Sequence, residues 1–249
     1  MLAKVVSAFL GLLFAANLSA AELTVHAAAS LTDALKEIGA VYEKESGDTV
    51  LFNFGASNAL VRQIEEGAPG DVFLSADEAK MDELEKKGLL LPGTRQNLLS
   101  NQLVVIVPSG AKLAPRSPED LRQAEYKRIA LAEPATVPAG IYAREYLTKK
   151  GVWDAVKAKV VPLESVRAAL AAVESGNVEA GIVYKTDAAI SNKVSVALEI
   201  SREDGPAITY PLAVLKSAKD PQKAKAFAEY LFAPAAEGFF RKFGFILAR

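Results

Sequence analysis

The sequence predicts an α/β fold with mainly parallel sheets, and three observations carry that reading. Strand-length runs are continuously apolar instead of alternating, as strands covered on both faces are. Segments with helical periodicity lie between them. The two kinds take turns along almost the whole chain, the pattern of layered α/β proteins.

The strand-like runs fall at 23–29 (LTVHAAA), 49–55 (TVLFNFG), 71–76 (DVFLSA), 103–108 (LVVIVP), 128–134, 181–186, 194–200 and 208–216. Between them, Leu31, Ala34, Leu35, Ile38 and Val41 share one helical face, as do Met81 with Leu84, and Val166 with Ala169, Leu170 and Val173. Ser30 with Asp33 and Ser75 with Glu78 have capping-box spacing, and Ser165 stands where it can cap the helix from Val166. Gly67, Gly88, Gly151 and Gly176 follow the last turns as helix-ending residues. Asp220-Pro221 opens a C-terminal helix and Pro234 ends it. No linker, repeat or low-complexity segment divides the chain, so periodicity alone leaves one large sheet and two smaller lobes both open. If there are two lobes, the runs at 103–108 and 208–216 are the natural crossings.

The chain has 249 residues, 51% hydrophobic and 24% charged, with a formal net charge of -1. That balance fits a globular protein and offers no basic surface for nucleic acid. Cysteine is absent, which removes disulfides, thiolate metal sites and a cysteine nucleophile together. Residues 1–21 read as a secretory signal peptide. Lys4 precedes an apolar run from Val5 to Ala16, and the small residues Ser19, Ala20 and Ala21 place cleavage after Ala21 or Ala20. The run is too short for a membrane span, which needs about 20 apolar residues. Export to the periplasm follows.

Enzymatic readings find little support. His26 is the only histidine and sits inside an apolar run, where a packed, hydrogen-bonded core residue is the usual outcome. GASNA (55–59) approaches the G-x-S-x-G nucleophile elbow, but the histidine precedes the serine, the reverse of hydrolases with that elbow. Phosphate-binding loops, dinucleotide fingerprints, HExxH and EF-hand motifs are all missing.

Helix entries are more informative. Ser30, Ser57, Pro138-Ala139-Gly140 and Ser165-Val166 each stand where a strand or loop enters a helix. There, free N–H groups and the helix dipole suit an anion. Two of these points precede the run at 103–108 and two follow it, an arrangement that lets two lobes close on one ligand. The plainer alternative is that each serine caps its own helix, worth about 1 kcal/mol.

The blocks AAASLTDAL, GASNALVRQIEEGAPGDVFLSAD, VPAGIYAREYLTKKGVWD, ESVRAALAAVESGNVEAGIVYKTDA and FFRKFGF, in that order, make the chain similar to periplasmic molybdate-binding proteins. These are the substrate-binding components of ATP-driven molybdate importers. The similarity runs from about Leu23 to Phe245.

It implies a two-lobed, type II solute-binding fold with the ligand in the cleft. Lobe 1 would take 22–105 and 209–249, and lobe 2 would take 106–208. It also implies a tetrahedral dianion, molybdate or tungstate, held by hydrogen bonds alone, with no cofactor and no side chain bound to the molybdenum itself. By motif the donors are Ser30 and Ser57 through hydroxyl and backbone N–H, Ala139 and Val166 through backbone N–H, and Tyr184 through its phenol. The implied partners are a membrane permease and an ATPase, with the binding protein a monomer. Arg62, Arg144 and Arg167 fall on helix bodies and are left outside the site. The competing readings are a carrier of sulfate or thiosulfate and, more remotely, a secreted hydrolase using Ser57.

Overall fold

A computed structural model of the chain describes residues 20–248. The signal-peptide reading therefore falls almost wholly outside the described residues. The chain opens with β1 (Glu22–Ala28), α1 (Thr32–Ser46), β2 (Thr49–Gly55), α2 (Ser57–Glu65), β3 (Val72–Leu74), α3 (Glu78–Lys86) and β4 (Gln96–Ser100). It continues through β5 (Leu103–Pro108), β6 (Ile129–Ala132), α4 (Pro138–Lys149), α5 (Trp153–Val156), β7 (Val160–Leu163), α6 (Val166–Glu174), β8 (Ala180–Tyr184), α7 (Lys185–Ala189) and β9 (Val194–Glu199). It closes with β10 (Thr209–Val214), α8 (Pro221–Tyr230), α9 (Pro234–Lys242) and β11 (Ile246–Leu247).

Two sheets result. The first has the order β11-β4-β10-β3-β1-β2 and the second β7-β6-β8-β5-β9. All eight apolar runs become strands. Both sheets are mixed, which corrects the expectation of mainly parallel ones. β1, β2 and β3 are mutually parallel, as are β6, β7 and β8. β10 runs against β3 and β4, and β5 runs against β8 and β9. The reason is direction of travel. The parallel strands end at the facing edges of the two sheets, so a strand entering from the other sheet starts at that edge and must run the opposite way. β5 lies wholly in the second sheet and β10 wholly in the first, so the chain changes sheets at 101–102 and again at 200–208.

Alternation along the strands divides the packing of the first sheet. Phe73 and Ala213 face α2 and α3, where Leu60, Val61, Ile64, Met81 and Leu84 complete a small core. Their neighbours Val72, Leu74, Leu212 and Val214 face the other way, into a core shared with α1, α8 and α9. In the second sheet Ile129, Leu131, Ile182 and Val183 pack beneath Ala143 and Leu147 of α4 and Ala169, Leu170 and Val173 of α6.

Helix ends mostly follow the sequence. Gly67, Gly88, Gly151 and Gly176 all have left-handed φ, from 66° to 90°. Asp220 caps α8 through the N–H groups of Gln222 and Lys223. Two expectations change. Asp77, not Ser75, caps α3, its carboxylate accepting from the Lys80 N–H. Pro234 opens α9, four residues after α8 has already ended at Tyr230.

Candidate functional site

The parallel strands of both sheets point their carboxyl ends at one small cavity. It offers about 20 Å³ to the centres of water-sized atoms and is lined by Ala28, Ala29, Ser30, Gly55, Ala56, Ser57, Ala76, Val137, Pro138, Ala139, Ser165, Val166 and Tyr184. All five residues expected to donate are among them, two from the first sheet's side and three from the second's. A sphere of that volume has a radius of about 1.7 Å, room for the oxygens of one small tetrahedral anion around its central atom and little else.

Ser30 lies in a single 3-10 turn, Ala29–Leu31, between β1 and α1. Ser57 is the first residue of α2, Ala139 the second of α4 and Val166 the first of α6. These first-turn positions carry backbone N–H groups with no carbonyl a turn earlier to accept them. Gly140 lets the start of α4 lie against the end of β6. A Cβ there would stand 2.1 Å from the Ala132 carbonyl oxygen and 2.6 Å from that of Glu133. Alanine and glycine at Ala28, Ala29, Gly55, Ala56, Ala76 and Ala139 keep side chains from screening the backbone, and no charged residue lines the cavity.

The three serines divide by role. Ser165 is a helix cap, its hydroxyl accepting from the Ala168 N–H at 3.1 Å. Ser30 and Ser57 cap nothing, so for them the plainer alternative is overturned. Ser57 Oγ accepts from the backbone N–H of Ala76 at 3.0 Å. Ser30 Oγ lies 3.0 Å from the Tyr210 hydroxyl. Ser57 therefore keeps its own hydrogen free, whereas in the Ser30–Tyr210 pair either hydroxyl can be the donor.

Tyr184 ends β8 with its side chain only 1% exposed, its ring 5.8 Å from that of Tyr210. Its hydroxyl is buried with no hydrogen-bond partner in the protein. Burial pushes the phenol well above its ordinary pKa, so it keeps its proton and remains a donor. A buried, unpartnered donor at a cavity wall is costly unless something enters to accept from it.

The hydrolase reading loses its base. His26 Nε2 bonds to the Pro69 carbonyl at 2.9 Å and Nδ1 to the Asn53 amide at 2.8 Å, which places the ring in the wall of β1 as a satisfied core group. Asn58 does not line the cavity. Among the described residues no cluster of His, Cys, Asp and Glu could hold a metal ion, and no helix is long and apolar enough to cross a membrane.

Arg167 stays outside the cavity lining, as expected, but its partners reach across the cavity. From the first turn of α6 it reaches the opposite side of the cavity, donating to Asp33 Oδ2 at 2.6 Å and to the Ser30 carbonyl at 3.3 Å. Its Nε lies 2.6 Å from Asp187 Oδ1, an ion pair by distance without the alignment of a hydrogen bond. Burial pushes the Asp187 carboxyl up to about 6, against the pull of that guanidinium. The helical period places Arg167 next to Val166, but nothing local announces Asp33 as its partner.

Comparison with known proteins agrees with this geometry. The model of the bacterial extracellular solute-binding proteins matches residues 23–246. The chain belongs to that family. Within it, this solute-binding protein is 40% identical to the molybdate-binding protein ModA of Escherichia coli, over 91% of this chain and 89% of that one. It is 38% identical to ModA of Haemophilus influenzae, over 95% and 93%. The periplasmic molybdate-binding protein of Azotobacter vinelandii superposes with a TM-score of 0.82 at 25% identity, covering 91% of this chain and all of that one. The two-lobed fold expected from the sequence is therefore the fold of this chain.

Proposed function

We propose that this solute-binding protein captures molybdate, and tungstate equally, in the cavity between its lobes and delivers it to an ABC importer in the membrane. The observation that carries the proposal is the unpartnered hydroxyl of Tyr184, buried in a cavity whose other polar groups are donors from four helix mouths. Such a wall fits a fully deprotonated oxyanion, and the 40% identity to a molybdate-binding protein selects the anion.

Ser30 and Ser57 give hydroxyl and N–H, Ala139 and Val166 give N–H, and Tyr184 gives its phenolic O–H. Hydrogen bonds to a charged group are worth roughly 1.5–3 kcal/mol each. That set offsets the cost of dehydrating the dianion and leaves a surplus as affinity. With no cation in the wall there is no second charge to desolvate on binding and no ion pair to break on release. Phosphate keeps a proton that would face a donor, which excludes it; sulfate has the right charge and is excluded by the size of the cavity.

The protein acts as a carrier and not as an enzyme, works outside the cytoplasmic membrane as a monomer, and meets a permease and an ATPase there. We draw lobe 1 from β1 to β4 with β10 to β11, and lobe 2 from β5 to β9. The boundaries then sit in the segments where the chain changes sheets, a few residues from the divisions at 105/106 and 208/209 expected from the sequence.

The test is thermal unfolding of the mature protein with molybdate, tungstate, sulfate or phosphate added separately. A ligand at a thousand times its Kd adds about 4 kcal/mol of stability. A shift with molybdate and tungstate alone is the expected result. A comparable shift with sulfate would make the protein a broader oxyanion carrier, and no shift with any of the four would sink the proposal.

A further inference from the structure

The direction of the Ser30 hydroxyl is set by residues that never touch the cavity. Asn101 lies where the chain first changes sheets. Its Oδ1 accepts from the Gln102 backbone N–H at 2.8 Å, a group that can only donate, and this fixes which end of the amide is oxygen. The two hydrogens of Nδ2 then go to Thr186 Oγ1 at 2.9 Å and to Tyr210 Oη at 3.2 Å.

Tyr210, in β10, is fully buried, and the partners of its hydroxyl are Asn101 and Ser30. Because it accepts from Asn101, its own hydrogen has one place to go, Ser30 Oγ at 3.0 Å. The opposite assignment, Ser30 donating to Tyr210, would leave the tyrosine hydrogen buried without an acceptor. Ser30 therefore accepts from behind and turns its hydrogen toward the cavity it lines. Ser57 reaches the same state more simply, with the Ala76 N–H in the role of Tyr210.

We propose that Asn101 and Tyr210 form a relay that locks the Ser30 hydroxyl as a donor, and that this locked polarity makes the cavity select fully deprotonated oxyanions over anions that carry a proton. The proposal rests on the oxyanion reading given above. Asn101 and Tyr210 are positioning residues. Without the relay, the Ser30 hydroxyl can rotate and accept from a protonated anion, so the loss appears chiefly in selectivity.

The experiment is calorimetric titration of the whole mature protein and of Tyr210→Phe with molybdate and with arsenate, which keeps a proton at neutral pH. Phenylalanine preserves the ring packing of Tyr210 against Tyr184 and Phe245. The expected result is a loss of about 3- to 10-fold in molybdate affinity with arsenate affinity unchanged or improved. Equal losses for both anions, or no change in either, would overturn the relay.

A second variant reverses the polarity. In Asn101→Asp the carboxylate can only accept, so Tyr210 donates to it and Ser30 must turn its hydrogen to Tyr210, with molybdate affinity falling about 10- to 150-fold. Charge repulsion would also weaken this variant, so Asn101→Asp combined with Tyr210→Phe decides between the two causes. The relay predicts that the double variant binds molybdate more tightly than Asn101→Asp alone, whereas repulsion predicts no recovery and would overturn the relay. Failure of the unaltered protein to bind molybdate or tungstate would instead remove the oxyanion reading itself.

Discussion

The two lobes build their halves of the cavity from different material. On the proposed reading, lobe 1 supplies side-chain hydroxyls, Ser30 and Ser57, each held from behind by another donor. Lobe 2 would supply backbone N–H groups at Ala139 and Val166, with Tyr184 as the one side chain and no partner behind it. The two hydroxyls of the first half have partners within the protein before a ligand arrives. The Tyr184 hydroxyl of the second has none. Substitutions in the two halves should therefore separate affinity from stability in opposite ways.

The largest effect is expected at Ser57. Ser57→Ala removes a donor to the anion and also the acceptor of the Ala76 N–H. Molybdate affinity should fall about 10- to 150-fold, and the ligand-free protein should lose about 1–3 kcal/mol because a buried N–H is left alone. Calorimetric titration and ligand-free denaturation read the two losses independently. Unchanged affinity would remove Ser57 from the site.

In lobe 2 the same loss of affinity should come without loss of fold. Val166 is the first residue of α6, where proline is well tolerated because its missing N–H has no intrahelical acceptor. Ser165 before it has φ -155° and ψ 168°, the extended conformation that a residue preceding proline prefers. Val166→Pro should then weaken molybdate binding by about tenfold or more while the ligand-free melting temperature holds. Val166→Ala keeps the N–H and should bind within about twofold of the unaltered protein. If alanine and proline behave alike, the backbone is not what meets the anion.

Tyr184→Phe carries the contrast furthest. Removing a hydroxyl that has no partner relieves a buried, unsatisfied group, so the ligand-free protein should gain up to about 1 kcal/mol. Molybdate affinity should meanwhile fall about tenfold. A variant that is more stable and binds less well marks a group kept for the ligand. One that is less stable would return Tyr184 to an ordinary core role.

How much of this was legible in the sequence depended on how far apart the partners lie. The α/β alternation and the four helix mouths are local patterns, readable within a dozen residues. Tyr184 was different. A tyrosine ending an apolar strand looks like core, and only the family resemblance singled it out. β4 went unread because QNLLS at 96–100 is short and half polar, a strand between β11 and β10 defined by its neighbours more than by its own residues. Capping was misjudged at Ser30 because the competing partner, Tyr210, is 180 residues away in the chain. The same distance problem hid Asn101, whose link to Tyr210 spans 109 residues, and Arg167, whose link to Asp33 spans 134. Spacing rules describe what a residue can do with its near neighbours and say nothing about a better offer from across the fold.

Arg167 joins the two halves and should give the smallest effect. Its bond to Asp33 crosses from α6 to α1 beside the cavity, with both side chains partly open to solvent. Exposed ion pairs of this kind contribute about 0.2–1 kcal/mol. If the pair forms when the lobes close over the anion, Asp33→Asn should speed molybdate release by about two- to fivefold and leave the association rate almost unchanged. Stopped-flow displacement of molybdate by excess tungstate measures the release rate directly. Slower association with unchanged release would mean that Asp33 acts on the open form, and that the contact described here does not report closure. The expected change is small because Arg167 keeps its approach to Asp187 and its bond to the Ser30 carbonyl, so the variant loosens one of three holds.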